Sequence, residues 1–110
     1  MTASPAALLV LCTCPDKDCA ERLAEAAVTR RLAACVNVMP GLSSLFTWQG
    51  ALDRADEVML VAKTTPAAYP ALEELWRELH PYELPEVIGV PIAVGSKAYL
   101  QWISDAVTPR

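Results

Sequence analysis

ELHPYELPEVIGVPI, from Glu78 to Ile92, decides the second half of this fold. An amphipathic helix pattern ends there at His80, the chain's only histidine, and Pro81 and Pro85 then bracket a Tyr-Glu-Leu turn. The β-branched run Val87-Ile88-Gly89-Val90 follows and reads as a buried strand. Proline lacks a backbone donor and pushes the residue before it out of the helical region. The chain must therefore stop its helix, turn and enter a strand at a strongly specified junction. His80 sits at that junction, where it reads either as a metal ligand or titrating group, or as a cap on the helix C-terminus.

Working outward, Thr65-Pro66 or Tyr69-Pro70 starts the helix that ends there, because proline fits a first helical turn. Leu72, Leu75, Trp76 and Leu79 share one face, and Glu73 pairs with Arg77 at i,i+4 on another. Upstream, Glu57 to Lys63 is a strand unbroken by charge from Val58 to Ala62. Ala34 to Met39 is also β-rich, is interrupted at Pro40-Gly41 and resumes from Leu42 to Trp48, with Gln49-Gly50 as a turn. The interruption fits a bulge in one long bent strand as well as a true end. Ala7 to Thr13 is apolar on both faces and reads as a central strand. Asp16 or Asp18 caps the helix after it, Leu23, Ala24, Ala27 and Val28 form its stripe, and Arg30 and Arg31 fall in its last turn. Ser96 caps a last helix with Tyr99, Trp102, Ile103 and Ala106 on one stripe.

The order β-α-β-β-α-β plus a terminal helix is the α+β, ferredoxin-like arrangement, an antiparallel sheet with two helices on one face. At 110 residues the chain is expected to form a single domain, residues 1–110. Hydrophobic residues make up 54%, a high share for a small soluble monomer, so apolar surface should be buried between subunits. Net charge is −4 and no basic cluster exceeds Arg30-Arg31, which removes the electrostatic footprint of a nucleic-acid binder. The apolar run from Ala6 to Cys12 is too short to span a membrane and lacks a basic flank, so the expected location is cytoplasmic. The four cysteines are expected to be free thiols.

Cys12 and Cys14 lie two apart on a strand, so both point to one face, where they can chelate a soft metal or simply pack. Cys19 lies in a first helical turn, where a dipole lowers a thiol's pKa, yet no base neighbours it and packing is the plainer role. Cys35 reads as core. Trp76 and Trp102 fit helix stripes and read as packing, whereas Trp48 and Tyr82, near turns, suit a ligand cleft. Glu83 and Glu86 either bind a cation or are solvated turn carboxylates. No phosphate-cradling glycine loop, nucleophile elbow, Ser/His/Asp arrangement or HExxH helix occurs, so catalysis has little support.

Several segments in order resemble the CutA divalent-cation-tolerance family: LLVLCTCPD (Leu8 to Asp16), RLAACVNVMPG (Arg31 to Gly41), SLFTWQG (Ser44 to Gly50), EVMLVAKTT (Glu57 to Thr65), ELHPYELPE (Glu78 to Glu86) and YLQWI (Tyr99 to Ile103). The resemblance implies a stable homotrimer of ferredoxin-like subunits, arranged like the PII signalling proteins, with clefts between subunits. It implies a role in tolerance of copper and other divalent metals. The family's copper-site residues, a strand cysteine and two consecutive histidines before Pro-Tyr, carry over to Cys12 and His80. Leu79 stands where the first histidine would be and cannot ligate, and Phe46 stands where the family has tyrosine.

The expectation is thus a non-enzymatic homotrimer whose intersubunit clefts bind copper or another divalent cation. Cys12 and His80 are the ligands, Cys14, Cys35 and Glu83 weaker ones, and Trp48, Tyr82, Glu83 and Glu86 the cleft residues. No organic cofactor, nucleic acid or membrane partner is implied. The alternative is a PII-like small-molecule sensor or protein-interaction scaffold using the same clefts. A small thiol or hydrolytic enzyme ranks last, since it would need a low-pKa cysteine.

Overall fold

Leu8–Cys14 forms β1, and its apolar character on both faces is explained by its place in the sheet. The four-stranded sheet has the order β2-β3-β1-β4, with β2 spanning Cys35–Trp48, β3 Ala51–Thr64 and β4 Val87–Pro91. Every neighbouring pair is antiparallel, and β1 lies between β3 and β4 as expected. The helices are α1 (Lys17–Thr29), α2 (Tyr69–Leu79) and α3 (Lys97–Ala106). This computed structural model describes residues 4–107, so the ends of the expected domain, residues 1–3 and 108–110, lie outside the described residues.

Alternation along the strands divides the sheet into two faces. Val10, Cys12 and Cys14 of β1 and Val58, Leu60 and Ala62 of β3 point to one face and are buried. Cys19, Ala20, Leu23 and Ala27 of α1 and Leu72, Leu75 and Trp76 of α2 cover them in one core cluster. The fully buried Trp76 satisfies its indole by donating Nε1–H to the Leu23 carbonyl at 3.0 Å, which ties α2 to α1. A smaller cluster of Ala7, Leu100 and Ile103 seats α3. Among the described residues the other face has no helical cover of this kind. There Leu11 and Val61 are half-buried, and Met39, Ile88 and Val90 are exposed.

Local chemistry sets the element ends. Asp16 caps α1, its carboxylate accepting from the Cys19 amide at 2.8 Å. At the other end the Leu32 and Arg31 amides bond back to the carbonyls of Ala27 and Val28, a Schellman closure that puts Arg31 at φ +59°. The helix therefore stops at Thr29, and Arg30 and Arg31 lie beyond the last turn in which they were expected. Ser96 caps α3 through the Tyr99 amide.

The Pro40-Gly41 interruption is a bulge in one continuous strand, with the register shifting between Met39 and Leu42. Gln49 and Gly50, both with positive φ, close β2 onto β3 as a two-residue hairpin. That hairpin carries β3 back to Ala51, well before the expected start at Glu57. The added residues mix Ala51, Leu52 and Ala55 with Asp53, Arg54 and Asp56 and are mostly exposed, so hydrophobic pattern could not announce them; cross-strand pairing holds them. The molecule measures 53 × 25 × 22 Å, an elongation consistent with two strands much longer than the others.

Several burial expectations fail. β4 was read as a buried strand, yet it is a sheet edge with Ile88 and Val90 exposed. Leu79 leaves the α2 stripe and is 37% exposed, and Val28 likewise leaves that of α1. Trp102 does not pack in the core. It is exposed with Tyr99, their ring centroids 5.4 Å apart, while Leu100 and Ile103 form the buried face of α3. Cys35 is only half-buried, because its strand position turns it to the uncovered face. Of the two proline starts for α2, Pro70 lies in the first turn, and the Thr65 hydroxyl orders the preceding turn by accepting from the Ala68 amide.

Candidate functional site

The turn after α2 and the end of β1 bring two parts of the sequence together. His80 is the C-cap of α2 in extended conformation and buried, and Pro81 follows it out of the helix. Its Nδ1 faces the Tyr82 amide at 3.1 Å and its Nε2 faces the Thr13 carbonyl at 2.7 Å. An amide can only donate and a carbonyl only accept, so the ring carries its proton on Nε2. Tyr82 lies against the same imidazole, with ring centroids 4.7 Å apart.

Cys12, Cys14 and His80 form one buried group whose donor atoms lie within 4.8 Å of one another. It is the one such set of three His, Cys, Asp or Glu ligand atoms among the described residues. Two thiols and an imidazole are a soft donor set, matched to copper(I) or zinc rather than to magnesium or calcium. The Cys14 thiol is held well above the ordinary range, first by its hydrogen bond with Cys12 and then by burial. Burial, followed by the nearby Cys14, pushes the Cys19 thiol up to about 11. Such thiols are poor nucleophiles at neutral pH, but a coordinated thiol is deprotonated outright. The set fits a soft ion on one condition: an imidazole ligand must give up one of its two hydrogen bonds.

Leu79 lies outside that buried group, exposed on the surface. Cys35 and Glu83 are also outside it. Cys14 supplies the third donor, and its i,i+2 spacing from Cys12 was the signal in the sequence.

A second feature lies beside this group. A cleft of about 800 Å³ runs between the β2–β3 hairpin and the 81–86 loop. Trp48, Tyr82, Glu83 and Glu86 all line it, so the structure gathers the four cleft residues named from sequence. Thr13 lines it too, placing the cleft next to the His80 contact. Sequence reading missed Phe46, Asp53 and Glu57. Asp53 and Glu57 are set by hairpin pairing, which no local pattern revealed. Glu57 is buried, and its Oε2 accepts from the Tyr82 hydroxyl at 2.9 Å. Burial and that bond push Tyr82 up to about 12.

Together these features define a class: a small ferredoxin-like α+β protein with a buried thiol–imidazole group beside an acidic, aromatic cleft. The CutA1 divalent ion tolerance protein family model matches residues 8–106, and the chain belongs to that family. It is 45% identical to the divalent-cation tolerance protein CutA of Thermus thermophilus, over 88% of this chain and 94% of that one. It is 41% identical to human protein CutA, over 87% of this chain but only 58% of the human protein's length. Among solved structures, CutA from Xylella fastidiosa aligns with TM-score 0.90 at 40% identity, covering 92% of this chain and 97% of that one. CutA1 from Oryza sativa aligns with TM-score 0.94 at 34% identity, covering 99% and 100%. A similar structure from Archaeoglobus fulgidus is described as periplasmic. Among the described residues no helix is long and apolar enough to cross a membrane.

Proposed function

We propose that this chain is a non-enzymatic, cytoplasmic metal-binding protein that takes copper or another thiophilic cation at Cys12 and His80, with Cys14 as third ligand, and serves metal tolerance. The convergence of those three buried donors carries the reading. The names of its relatives, divalent-cation tolerance proteins, support it at family level. The raised Cys14 and Cys19 thiols speak against a thiol enzyme. The test is an anaerobic calorimetric copper titration of the reduced protein beside Cys12→Ser, Cys14→Ser and His80→Ala. Saturable binding weakened by each substitution supports the site, and binding indifferent to all three removes it.

The assembly belongs to the same proposal. An antiparallel sheet covered by helices on one face, with Met39, Ile88 and Val90 exposed on the other, is suited to packing against copies of itself. A homotrimer would cover that face and occupy the open edges of β2 and β4. Light scattering at micromolar concentration should give three chains per particle; a monomer would count against it.

The cleft favours a second reading, a PII-like sensor or scaffold that binds a small organic molecule there. A thermal-shift panel separates the two, since metals alone raise the transition under the first and an organic ligand does so under the second.

A further inference from the structure

We propose that His80 is a metal-gated latch on the turn that follows it. An ion taken at the Cys12, Cys14 and His80 group releases the Tyr82 amide and thereby frees the turn from Pro81 to Glu86. The inference rests on the metal reading above and adds how occupancy of that site is passed to the surrounding fold.

The latch follows from the lone pairs of one ring. A neutral imidazole carries one N–H and one bare nitrogen, and only the bare nitrogen can bind an ion or accept a hydrogen bond. The bare nitrogen of His80 is Nδ1, engaged by the Tyr82 amide at 3.1 Å, while Nε2–H donates to the Thr13 carbonyl at 2.7 Å. Ligation through Nδ1 takes the lone pair that the Tyr82 amide uses. Ligation through Nε2 requires the ring proton to move to Nδ1. There N–H faces N–H, and the Thr13 carbonyl loses its donor as well. The ring gains and loses no proton overall on either route. Both routes cost the Tyr82 amide its acceptor, so the outcome does not depend on which nitrogen the ion meets.

Few other bonds tie the turn to the chain. Among the described residues, Tyr82 makes both hydrogen bonds from 81–86 to other parts of the chain. One runs from its amide to His80, the other from its hydroxyl to the Glu57 carboxylate at 2.9 Å. Pro81 and Pro85 have no amide hydrogen with which to replace a lost bond. The Tyr82 amide bond is half-buried, and an unpaired donor there is unfavourable, so the turn must shift until water reaches it. The helix before the turn is held independently. The His80 amide donates to the Trp76 carbonyl at 3.0 Å, and the Trp76 indole donates to the Leu23 carbonyl. The movement is therefore confined to the turn.

The probe is copper(I), added anaerobically to the reduced native protein in its solution assembly and followed by NMR. The chain has one histidine, so its imidazole nitrogens are identified without ambiguity. At saturation an imidazole nitrogen should shift, and hydrogen exchange of the Tyr82 amide should speed up at least about tenfold as its protecting bond is lost. The Leu75 and Trp76 amides, inside α2, should stay within about twofold of their metal-free rates. Reciprocity supplies a second readout. Tyr82→Phe deletes the Glu57 bond and eases undocking of the turn, so copper(I) should bind this variant at least about threefold more tightly. A Tyr82 that only shaped the site would lower the affinity or leave it unchanged. An imidazole shift without faster Tyr82 exchange overturns the latch and leaves the metal site standing. A Tyr82→Phe affinity equal to or below the native one does the same. Faster exchange shared by Leu75 and Trp76 also overturns it, since the loosening is then general. An imidazole unmoved by saturating copper(I) removes His80 as a ligand, and the latch falls with the reading it rests on.

Discussion

His80 donates Nε2–H to the Thr13 carbonyl at 2.7 Å while its Nδ1 accepts the Tyr82 amide at 3.1 Å, so one imidazole fastens the end of α2 to the end of β1. Both bonds serve buried or half-buried backbone groups. His80→Ala in the metal-free protein should therefore cost about 2 kcal/mol, because an orphaned donor and acceptor are left behind. Urea unfolding measures this directly. No loss of stability would mean that water or a local shift replaces the ring.

Metal uptake at the proposed Cys12, Cys14 and His80 site would be a proton-linked event. Bound thiols must lose their protons, and Cys14 holds its own well above neutral pH. Copper affinity should rise with pH throughout the neutral range, by about tenfold per unit for each proton released. Calorimetry in buffers of different ionisation enthalpy counts those protons. A pH-independent affinity would exclude the thiols as ligands.

Arg31 adopts the left-handed φ of +59° that glycine usually supplies after a helix, and its side chain repays the conformation. The guanidinium donates to the carbonyls of Ala106 and Asp105 at 3.1 and 3.3 Å, fixing the C-terminal end of α3. Arg31→Ala keeps the strained backbone and removes both bonds, so a loss of about 2 kcal/mol is expected. Arg31→Gly should be less damaging than alanine by about 1 kcal/mol, reversing the usual order. Thermal unfolding of the two variants decides it, and alanine at least as stable as glycine would contradict the argument.

Alkaline pH should loosen the protein through its tyrosines. Tyr82 is raised to about 12 and Tyr69 is also raised, each first by burial and then by the glutamate that accepts its hydroxyl. The folded state thus holds these protons more tightly than the unfolded chain, whose phenols titrate near 10. The contribution is fully present below pH 10 and is lost as pH rises through about 12. Tyr82→Phe should flatten the fall in stability over that window. An unchanged slope would assign the alkaline loss to other groups.

Part of the fold was legible because its signals are local. The helix caps at Asp16 and Ser96, the turn at Gln49-Gly50 and the bulge at Pro40-Gly41 each depend on a few neighbouring residues. The exposed first half of β3 was not legible, because Ala51 onward is held by pairing with β2 rather than by burial. Leu79, Trp102 and Ile88 fit apolar patterns and are exposed all the same. Periodicity marks which residues share a face and leaves open what covers it.

The candidate site divides in the same way. The i,i+2 spacing of Cys12 and Cys14 on a strand fixed a shared face, and Pro81 fixed His80 at a helix end. Their meeting across 66 to 68 positions of chain depended on α2 docking against β1 and α1. The sequence by itself determined the element order, the caps and turns, and the family, because these rest on short-range chemistry and ordered motifs. Only the tertiary structure decided that Cys14 joins Cys12 and His80 while Leu79 faces outward, and that Asp53 and Glu57 join the cleft. Those relations come from packing and strand register between distant segments, which no local pattern encodes.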